Sequence, residues 1–564
     1  MTISETKARV VKLFRQHWVL ILPILIMALL LAKNPFSDRN LIPNLEPYPD
    51  AFHYISPAFA VLKGYGFNLE REGRTIQPTV PPGYTIALIP VFVFIKDARA
   101  FYLTNVILLF ISLGLFYAIV RKAFPNQFIQ FLLLSLFGSN LGLAWYAGLP
   151  MAENLTTTLF LGGVLLLNSK INKTRAACAA LIGVSFYATK YASLSLSLAF
   201  PVLYGLKAAL AARKSRIILP DFIFYLVTLA SFGGCYLLFE LLVRNNNVIG
   251  GLFALIVSVF GHATVEASAP ATTAGTFFSA FFVRQNLNSY FGWLTGKNLI
   301  VLWRPTQILP PWLAWPALIG FVVALWNKQQ RALSLNVMAL IGATIAVMAF
   351  FYTTDGRYLF MAIPSLMLGV GFILSWVQLR LPKTIKPLYF NLGVLAITGL
   401  ALTVSAKDLK YTIAVNLRHA ETPWYHISVE RVDDFIGHLP PTDQKPVLIT
   451  SLPPYYLDYF THHPMIIMPL DNGQEFRSNP KEAWGDINFE HLHLTYQTLL
   501  NQGHPVYAMT YGLGNTKFLH KAFEDLSLDF NVTKVEDGCF TQCEIYQLTN
   551  KVATPSAKLS GSKQ

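Results

Sequence analysis

Charge is scarce in this chain, and acidic residues are the scarcer half of it. Asp, Glu, Lys and Arg make up 13% of the 564 residues, with 30 acidic and 44 basic side chains. Soluble domains carry about 25% charged residues. Hydrophobic residues reach 54%. The composition therefore excludes an ordinary soluble domain and predicts an integral membrane protein that contacts membrane lipids.

The net charge of +14 does not indicate a nucleic-acid partner, because most Lys and Arg occur in short clusters between apolar runs. This distribution follows the positive-inside pattern of membrane proteins. If the N-terminus is cytoplasmic and the apolar runs alternate, six basic clusters fall on the cytoplasmic side. These clusters are at 7–15, 121–122, 170–175, 213–216, 328–331 and 380–386. We expect no nucleic-acid binding.

Eleven apolar runs are candidates to cross the bilayer, which needs roughly 20 apolar residues per helix. They are 18–33, 101–120, 127–147, 154–169, 176–189, 191–209, 220–243, 311–327, 332–352, 359–378 and 388–406. "LAKNPFSDRN" after the first run has no convincing cleavage site, so this run is predicted to be an uncleaved helix. The sequence predicts an all-α polytopic membrane domain over 1–406. The basic clusters and the lack of an evident organelle signal favour a bacterial-type plasma (inner) membrane.

Two long loops are predicted on the outer side, at 33–100 and 244–310. The first contains "PPGYTIALIPVFVFI", which is too short to cross comfortably and is predicted to form a helix at the membrane surface. The second is rich in Gly, Ala, Thr and aromatics and is also a candidate for interfacial helices. No convincing internal repeat is visible, which counts against a transporter built from repeated halves.

An odd number of helices places the C-terminal segment outside the membrane. In 407–550 the runs "KPVLIT" and "PVYAMTY" are typical of short buried strands. "FEHLHLTYQTLLNQG" and "KFLHKAFEDLSL" have helical periodicity. We predict a small extracytoplasmic α/β domain over 407–550, followed by a disordered polar tail over 551–564.

Only four cysteines are present, and two of them, Cys539 and Cys543, fall in this C-terminal domain. Outside the cytoplasm such a pair can form a disulfide. Two free thiols or a metal-binding pair are the alternatives, but no Cys–His cluster accompanies them. We predict the Cys539–Cys543 disulfide.

With this topology, unusual polar residues gather at the outer side of the membrane domain. Asp50 follows the first helix, Glu153 begins the fourth, and Lys190 lies between two apolar runs. "TTDGRYL", with Asp355, Arg357 and Tyr358, lies between the ninth and tenth helices. Charged groups near the hydrocarbon are energetically expensive and suggest function.

Each of these residues also has a purely structural interpretation. Asp50 can cap a helix, and Glu153 can sit in a helical first turn where the dipole favours it. Lys190 can extend to lipid phosphates, and Arg357 can pair with Asp355. It is their convergence on one side that predicts a functional site.

The order of these elements resembles the GT-C superfamily of integral membrane glycosyltransferases, which includes protein O-mannosyltransferases and the aminoarabinose transferase of lipid A. The elements are Asp50 after the first helix, "TVPPGYTIALIP" ending the first loop, and Glu153 after the third helix. They continue with "YATKYASLSLSLAFP" and "DGRYLFMAIPSLML". The resemblance covers roughly residues 1–400, and such enzymes take a sugar from a polyprenyl-phosphate carrier.

The resemblance implies a role for each matching residue. Asp50 would be the base that deprotonates an acceptor hydroxyl, with inversion at the anomeric carbon. Lys190 and Arg357, with Tyr358, would hold the carrier phosphate, and Arg304 is a spare outer cation. The acceptor would be a lipid, a glycan or a protein.

Glu153 resembles the second luminal acid of these enzymes, which would orient the acceptor or bind a metal. His53 would join it only in a metal-dependent enzyme. No cofactor is certain, and a divalent metal stays open.

The sequence also departs from the family's patterns. Ala51 follows Asp50, so the paired acids of protein O-mannosyltransferases are absent, and no Asp-x-Asp motif lies near Asp50. The Lys that some members carry before the Pro-Pro segment is replaced by "RTIQPTVPP". A flippase for lipid-linked sugars, a polysaccharide polymerase or ligase, and a non-catalytic envelope scaffold are the alternative functions.

Overall fold

A computed structural model describes most of the chain. The described residues are 16–32, 50–62, 64, 66–67, 69–71, 74–76, 80–95, 99–215, 218–243, 280–301, 304–351, 354–382, 384–418, 424–452, 454, 457, 461–470, 487, 489–510, 517–536 and 544–551. They fall into two compact units, one within Met1–Phe67 and Pro78–Glu421, the other within Asn68–Gln77 and Thr422–Gln564. Cys539, Cys543 and the predicted disordered tail lie outside the described residues.

The first unit is a bundle of helices. They are α1 (Ile21–Leu31), α2 (Asp50–Leu62), α3 (Gly83–Phe94), α4 (Arg99–Ala123), α5 (Gln127–Gly138), α6 (Leu141–Ala147), α7 (Glu153–Leu167), α8 (Lys173–Thr189), α9 (Leu194–Lys214), α10 (Leu219–Leu242), α11 (Val283–Leu294), α12 (Pro311–Ala324), α13 (Arg331–Met348), α14 (Ala362–Arg380) and α15 (Pro387–Arg418).

Every one of the eleven predicted spans coincides with helix. Six helices in the described part of the chain are long and apolar enough to cross a membrane, and α5 with α6, bent by 44°, makes a seventh candidate. Three further predicted spans are shorter apolar helices: α1 with the turn before it, α7 and α12. The eleventh is α8. The prediction of an all-helical polytopic membrane domain is confirmed.

Asparagine side chains begin three of these helices. The Oδ1 of Asn126 accepts a hydrogen bond from the backbone N–H of Phe128 at the start of α5. Asn140 does the same at α6 and Asn172 at α8. An N-cap side chain pairs one of the N–H groups that a helix start leaves without a partner. These caps fix the points where apolar runs are broken.

Helices α12 and α14 approach each other at backbone contact distance. A Cβ placed on Gly320 would lie 1.9 Å from the carbonyl oxygen of Gly369, and one on Gly369 would lie 2.3 Å from the carbonyl oxygen of Ala317. Small residues allow such close packing between helices in membranes. This contact anchors α14, which follows directly on the "DGRYL" segment.

The second unit contains α16 (Trp424–Gly437), α17 (Leu492–Asn501) and α18 (Lys517–Asp529), packed on a five-stranded sheet. The strands are β5 (Val447–Thr450), β6 (Ile466–Pro469), β7 (Val506–Met509), β8 (Phe530–Glu536) and β9 (Ile545–Asn550), in the order β6-β5-β7-β9-β8. β6, β5 and β7 are parallel to one another, and β9 pairs antiparallel with β7 on one side and with β8 on the other. The two predicted strands and two predicted helices all lie in this α/β unit.

The remaining strands form two hairpins that the sequence analysis did not predict. β1 (Leu69–Arg71) pairs with β2 (Arg74–Ile76), and β3 (Leu299–Val301) pairs with β4 (Arg304–Thr306). Each strand has three residues, which is too short to show an alternating pattern. α15 also continues to Arg418, through the predicted domain boundary at residue 406. Hydropathy identifies only the apolar part of that helix.

Candidate functional site

A buried ion pair joins two of the predicted site residues. α7 begins at Glu153, and Lys190 follows the last residue of α8. The Nζ of Lys190 donates a hydrogen bond to Oε1 of Glu153. The side chains are 12% and 1% exposed, respectively. A carboxylate this deeply buried needs a charge partner, since an unpaired buried charge is strongly destabilising.

The "DGRYL" turn contacts the same lysine. Residues Gly356–Leu359 form one turn of 3-10 helix, and Asp355 caps it by accepting a hydrogen bond of 2.9 Å from the N–H of Arg357. The Nε of Arg357 also donates to Asp355, at 2.5 Å. Lys190 Nζ lies 5.1 Å from the centroid of the Tyr358 ring. The structure thus brings Glu153, Lys190 and Tyr358 together, and Arg357 forms the pair with Asp355 that the sequence left open.

The Pro-Pro segment packs beside Lys190. α3 begins at Gly83, and a Cβ at that position would lie 2.6 Å from the carbonyl oxygen of Ala188, near the end of α8. Only glycine permits this approach. The next residue, Tyr84, is fully buried, and its hydroxyl donates a hydrogen bond of 3.0 Å to Oδ1 of Asn105.

Asn105 connects three parts of the site, and it was not among the predicted site residues. It lies on α4 with no exposed surface. Besides accepting from Tyr84, its Nδ2 donates to the carbonyl oxygens of Ala147 at 3.3 Å and Leu149 at 2.6 Å. It therefore fixes the segment that leads into Glu153 against α3 and α4. The only signal in the sequence was an amide within an apolar run.

The helix that begins with Asp50 belongs to the same cluster. Tyr54 follows Asp50 by about one helical turn, roughly 6 Å along the axis. The Tyr54 ring packs edge-on against Tyr84 at 5.3 Å, and its hydroxyl donates to the carbonyl oxygen of Thr189 at 3.5 Å. Thr85 donates a hydrogen bond of 2.7 Å to the Tyr54 carbonyl. The start of α2 thus lies about one turn from a tyrosine whose hydroxyl contacts Thr189, the residue that precedes Lys190.

Several predicted site residues are placed only in part. The side chains of Asp50, His53 and Arg304 lie outside the described residues, although the backbones of α2 and β4 that carry them are described. Among the described residues, no group of three or more His, Cys, Asp or Glu side chains is arranged to hold a metal ion.

A second buried carboxylate, which was not among the predicted site residues, is connected to the site through a series of tyrosine contacts. Glu240 on α10 has no exposed surface, and its Oε1 accepts a hydrogen bond of 2.8 Å from the Tyr236 hydroxyl. The Tyr187 ring lies between Tyr191, at 5.3 Å, and Tyr236, at 6.0 Å. Tyr191 is the neighbour of Lys190. The signal for Glu240 in the sequence is a single Glu within an apolar run.

Comparison with solved structures identifies the fold. The chain is similar to ArnT from Cupriavidus metallidurans in the apo state, with a TM-score of 0.56, 13% identity, and coverage of 94% of this chain and 98% of that chain. It is equally similar to the ArnT structure bound to undecaprenyl phosphate, with a TM-score of 0.55, 12% identity, and coverage of 95% and 97%. No protein-family model matches the chain, and no curated protein matches it. The chain has a GT-C-like fold, as the sequence predicted.

Proposed function

We propose that this protein is a membrane glycosyltransferase that moves a sugar from a polyprenyl-phosphate donor to an acceptor at the outer face of the membrane. The observation that carries the proposal is the cluster of Glu153, Lys190 and Tyr358. This cluster lies in a fold like that of ArnT, which has been solved with undecaprenyl phosphate bound. The N-terminus is cytoplasmic and the C-terminal unit extracytoplasmic in this proposal.

In this proposal the donor phosphate is held by cations around Lys190. An ammonium has three N–H donors, of which Glu153 takes one. The charges of Glu153, Lys190, Asp355 and Arg357 sum to zero, so a phosphate needs a further cation beside them. Arg304 is the proposed source, and Tyr358 would contribute its hydroxyl. Charge-assisted hydrogen bonds of this kind stabilise a phosphate as it leaves.

Asp50 is the proposed base. Its carboxylate takes the proton of an acceptor hydroxyl while that oxygen attacks the anomeric carbon, and the bond from that carbon to the phosphate oxygen breaks. The electron pair of the broken bond remains on the polyprenyl phosphate, and the configuration inverts. A positioned base contributes about 10²–10⁴-fold in rate. Glu153 would orient the acceptor, or bind a divalent metal with His53.

The test compares wild type with Asp50→Asn in lipid nanodiscs supplied with polyprenyl-phosphate-linked sugars from native membranes. Release of free polyprenyl phosphate and labelling of the acceptor are measured. We expect release by wild type and a loss of at least about 100-fold in Asp50→Asn, with donor binding retained. Asp221→Asn, an identical change in the first turn of α10, serves as control and should keep full activity.

Equal release by wild type and Asp50→Asn would remove Asp50 as the base and direct attention to Glu153. If neither protein releases polyprenyl phosphate although donor is present, the enzyme proposal is wrong. The flippase, the polymerase or ligase, and the scaffold would then be tested in its place.

A further inference from the structure

Three polar atoms at the start of α7 are buried without a hydrogen-bond partner among the residues that the structure describes. They are Oε2 of Glu153 and both amide atoms, Oδ1 and Nδ2, of Asn154. Each residue is 1% exposed. A buried polar group without a partner costs about 1–3 kcal/mol. Two successive residues of this kind mark a place where polar atoms of another molecule can be bound.

The contacts of Thr158 show which way Asn154 faces. Thr158 lies one turn after Asn154 on the same face of α7, and residues four apart on a helix are neighbours. Its Oγ1 donates to the carbonyl oxygen of Leu108 at 3.2 Å and lies 2.8 Å from Oγ of Ser112, both on α4. The face that carries Asn154 therefore packs towards α4.

The level of Asn154 along α4 follows from two contacts. Leu108 is level with Thr158, and Asn105 bonds Leu149, just before α7 begins. The two helices thus run in the same direction, and Asn154 lies near the level of Asn105. It directly follows Glu153, which pairs with Lys190, and it lies near the level of Asn105, which accepts a hydrogen bond from Tyr84.

This position is where a transferred sugar must lie if the proposed function holds. In an inverting transfer the base-bound acceptor and the leaving phosphate occupy opposite sides of the anomeric carbon. Lys190 is on the proposed phosphate side, and α2 carries the proposed base. A buried side chain that lies between the phosphate side and α2 would contact the sugar ring rather than the lipid chain.

The chemistry of the three atoms fits neighbouring hydroxyl groups. A carboxylate oxygen only accepts hydrogen bonds, whereas an amide both donates and accepts, and each hydroxyl does both. One hydroxyl can donate to Glu153 Oε2 while its neighbour donates to Oδ1 of Asn154 and accepts from Nδ2. We propose that Asn154 is a specificity-determining residue that recognises a pair of adjacent free hydroxyls on the donor sugar. This inference rests on the proposed function.

The competing interpretation is ordered water, which commonly pairs buried polar groups. If water pairs Asn154, this residue does not affect the relative affinities for carriers with and without a sugar. If Asn154 recognises a hydroxyl, the sugar-bearing carrier binds more tightly, because a site built to bind a hydroxyl rejects ligands that lack it. The ratio of the two affinities therefore separates the interpretations.

The experiment uses the full-length protein in nanodiscs and measures the affinity of each ligand. The ligands are bare undecaprenyl phosphate and undecaprenyl phosphate linked to glucose, mannose, galactose or arabinose. We expect wild type to prefer at least one sugar-bearing carrier to the bare carrier. Asn154→Ala should reduce that preference by about tenfold or more, with affinity for bare undecaprenyl phosphate within about twofold of wild type. Asn168→Ala, the same change at the other end of α7, should leave the preference unchanged.

Two further measurements keep the test independent of folding defects. Asn154→Leu removes the unpaired amide at similar volume, so it should fold at least as well as wild type and show the same loss of preference. Wild type itself should bind at least one monodeoxy form of its preferred carrier-linked sugar about tenfold more weakly than the parent sugar.

The inference is overturned if wild type binds sugar-bearing and bare carriers equally, or if neither Asn154 variant changes the preference. A wild type that binds no carrier at all would instead reject the proposed function, and the inference with it. A wild type that transfers sugar with unaltered preference in Asn154→Ala would reject the inference alone.

Discussion

Lys190 and Tyr358 lie far apart in the sequence, yet the lysine ammonium is 5.1 Å from the centroid of the tyrosine ring. A cation over an aromatic face at this range is attracted by about 0.5–2 kcal/mol, depending on solvation. The contact joins the α8–α9 junction to the turn before α14. It holds the ammonium between a buried carboxylate and a phenol, which defines the candidate site.

The charge balance of the buried pair predicts that stability can be restored without restoring activity. Lys190→Met leaves the Glu153 carboxylate, 1% exposed, without a counter-charge. We expect a loss of about 3–5 kcal/mol in the free energy of unfolding, together with loss of sugar transfer. The double variant Lys190→Met with Glu153→Gln should recover most of the stability, because no unpaired charge remains, but no transfer. Thermal unfolding in nanodiscs and release of polyprenyl phosphate are the two measurements.

A double variant as unstable as Lys190→Met would show that the lysine acts through packing rather than charge. Recovery of transfer together with stability would remove Lys190 from the proposed phosphate site.

The approach of α3 to α8 predicts a strong effect of one methyl group. In Gly83→Ala the new Cβ would lie 2.6 Å from the Ala188 carbonyl oxygen, so α3 must move away from the residues before Lys190. We expect lower thermal stability and at least about tenfold less transfer, since small misplacements in a site are costly. Gly114→Ala is the matched control, because no atom of the described part of the chain lies within 4 Å of its Cβ position on α4. Equal behaviour of the two variants would contradict the close contact.

The hydrogen bonds that Asp433 accepts in the second unit are predicted to depend on pH. Its carboxylate accepts hydrogen bonds from the backbone N–H and Nδ1 of His462, at 2.9 Å each, and of His463, at 3.0 Å each. Burial raises the pKa of Asp433, but these hydrogen bonds outweigh it and hold that pKa below its ordinary value of 3.8. The contact therefore stabilises the fold above about pH 4 and is lost as the pH falls through the lowered pKa.

Hydrogen exchange of residues 461–470 in the full-length protein, corrected for intrinsic rates, measures this contact. We expect Asp433→Asn to raise exchange at pH 7, and wild type to show a similar rise only in acid below pH 4. Asp434→Asn, a change at the exposed neighbouring residue, should have no effect at pH 7. Unchanged protection in Asp433→Asn would show that the carboxylate does not hold the loop.

The helices were predictable because hydropathy is a local property. The run at 101–120 lies within α4, and "KPVLIT" contains β5, since each has enough apolar residues to show its period. The hairpins at Leu69–Ile76 and Leu299–Thr306 were not predicted, because three-residue strands have too little pattern. The Cys539–Cys543 disulfide stays a prediction that mass spectrometry of the alkylated, unreduced protein can check.

The site was predictable where charge is out of place in apolar sequence. Glu153 and Lys190 were identified in this way, and the structure pairs them. Asn105 and Asn154 were missed because an amide in an apolar run carries little weight until its neighbours are known. The bond of Asn105 to Leu149, more than forty residues away, is a tertiary contact that one sequence does not reveal.

The backbone contact between Gly320 and Gly369 also bears on the turn that precedes α14. Sliding α12 along α14 would drive carbonyl oxygens into Cα atoms, so this pair of helices resists shear. The turn Gly356–Leu359 directly precedes α14, and its position along α12 is therefore fixed as well. If the proposed function holds, a carrier phosphate that binds Tyr358 must therefore come to the level along the helices that this rigid pair sets.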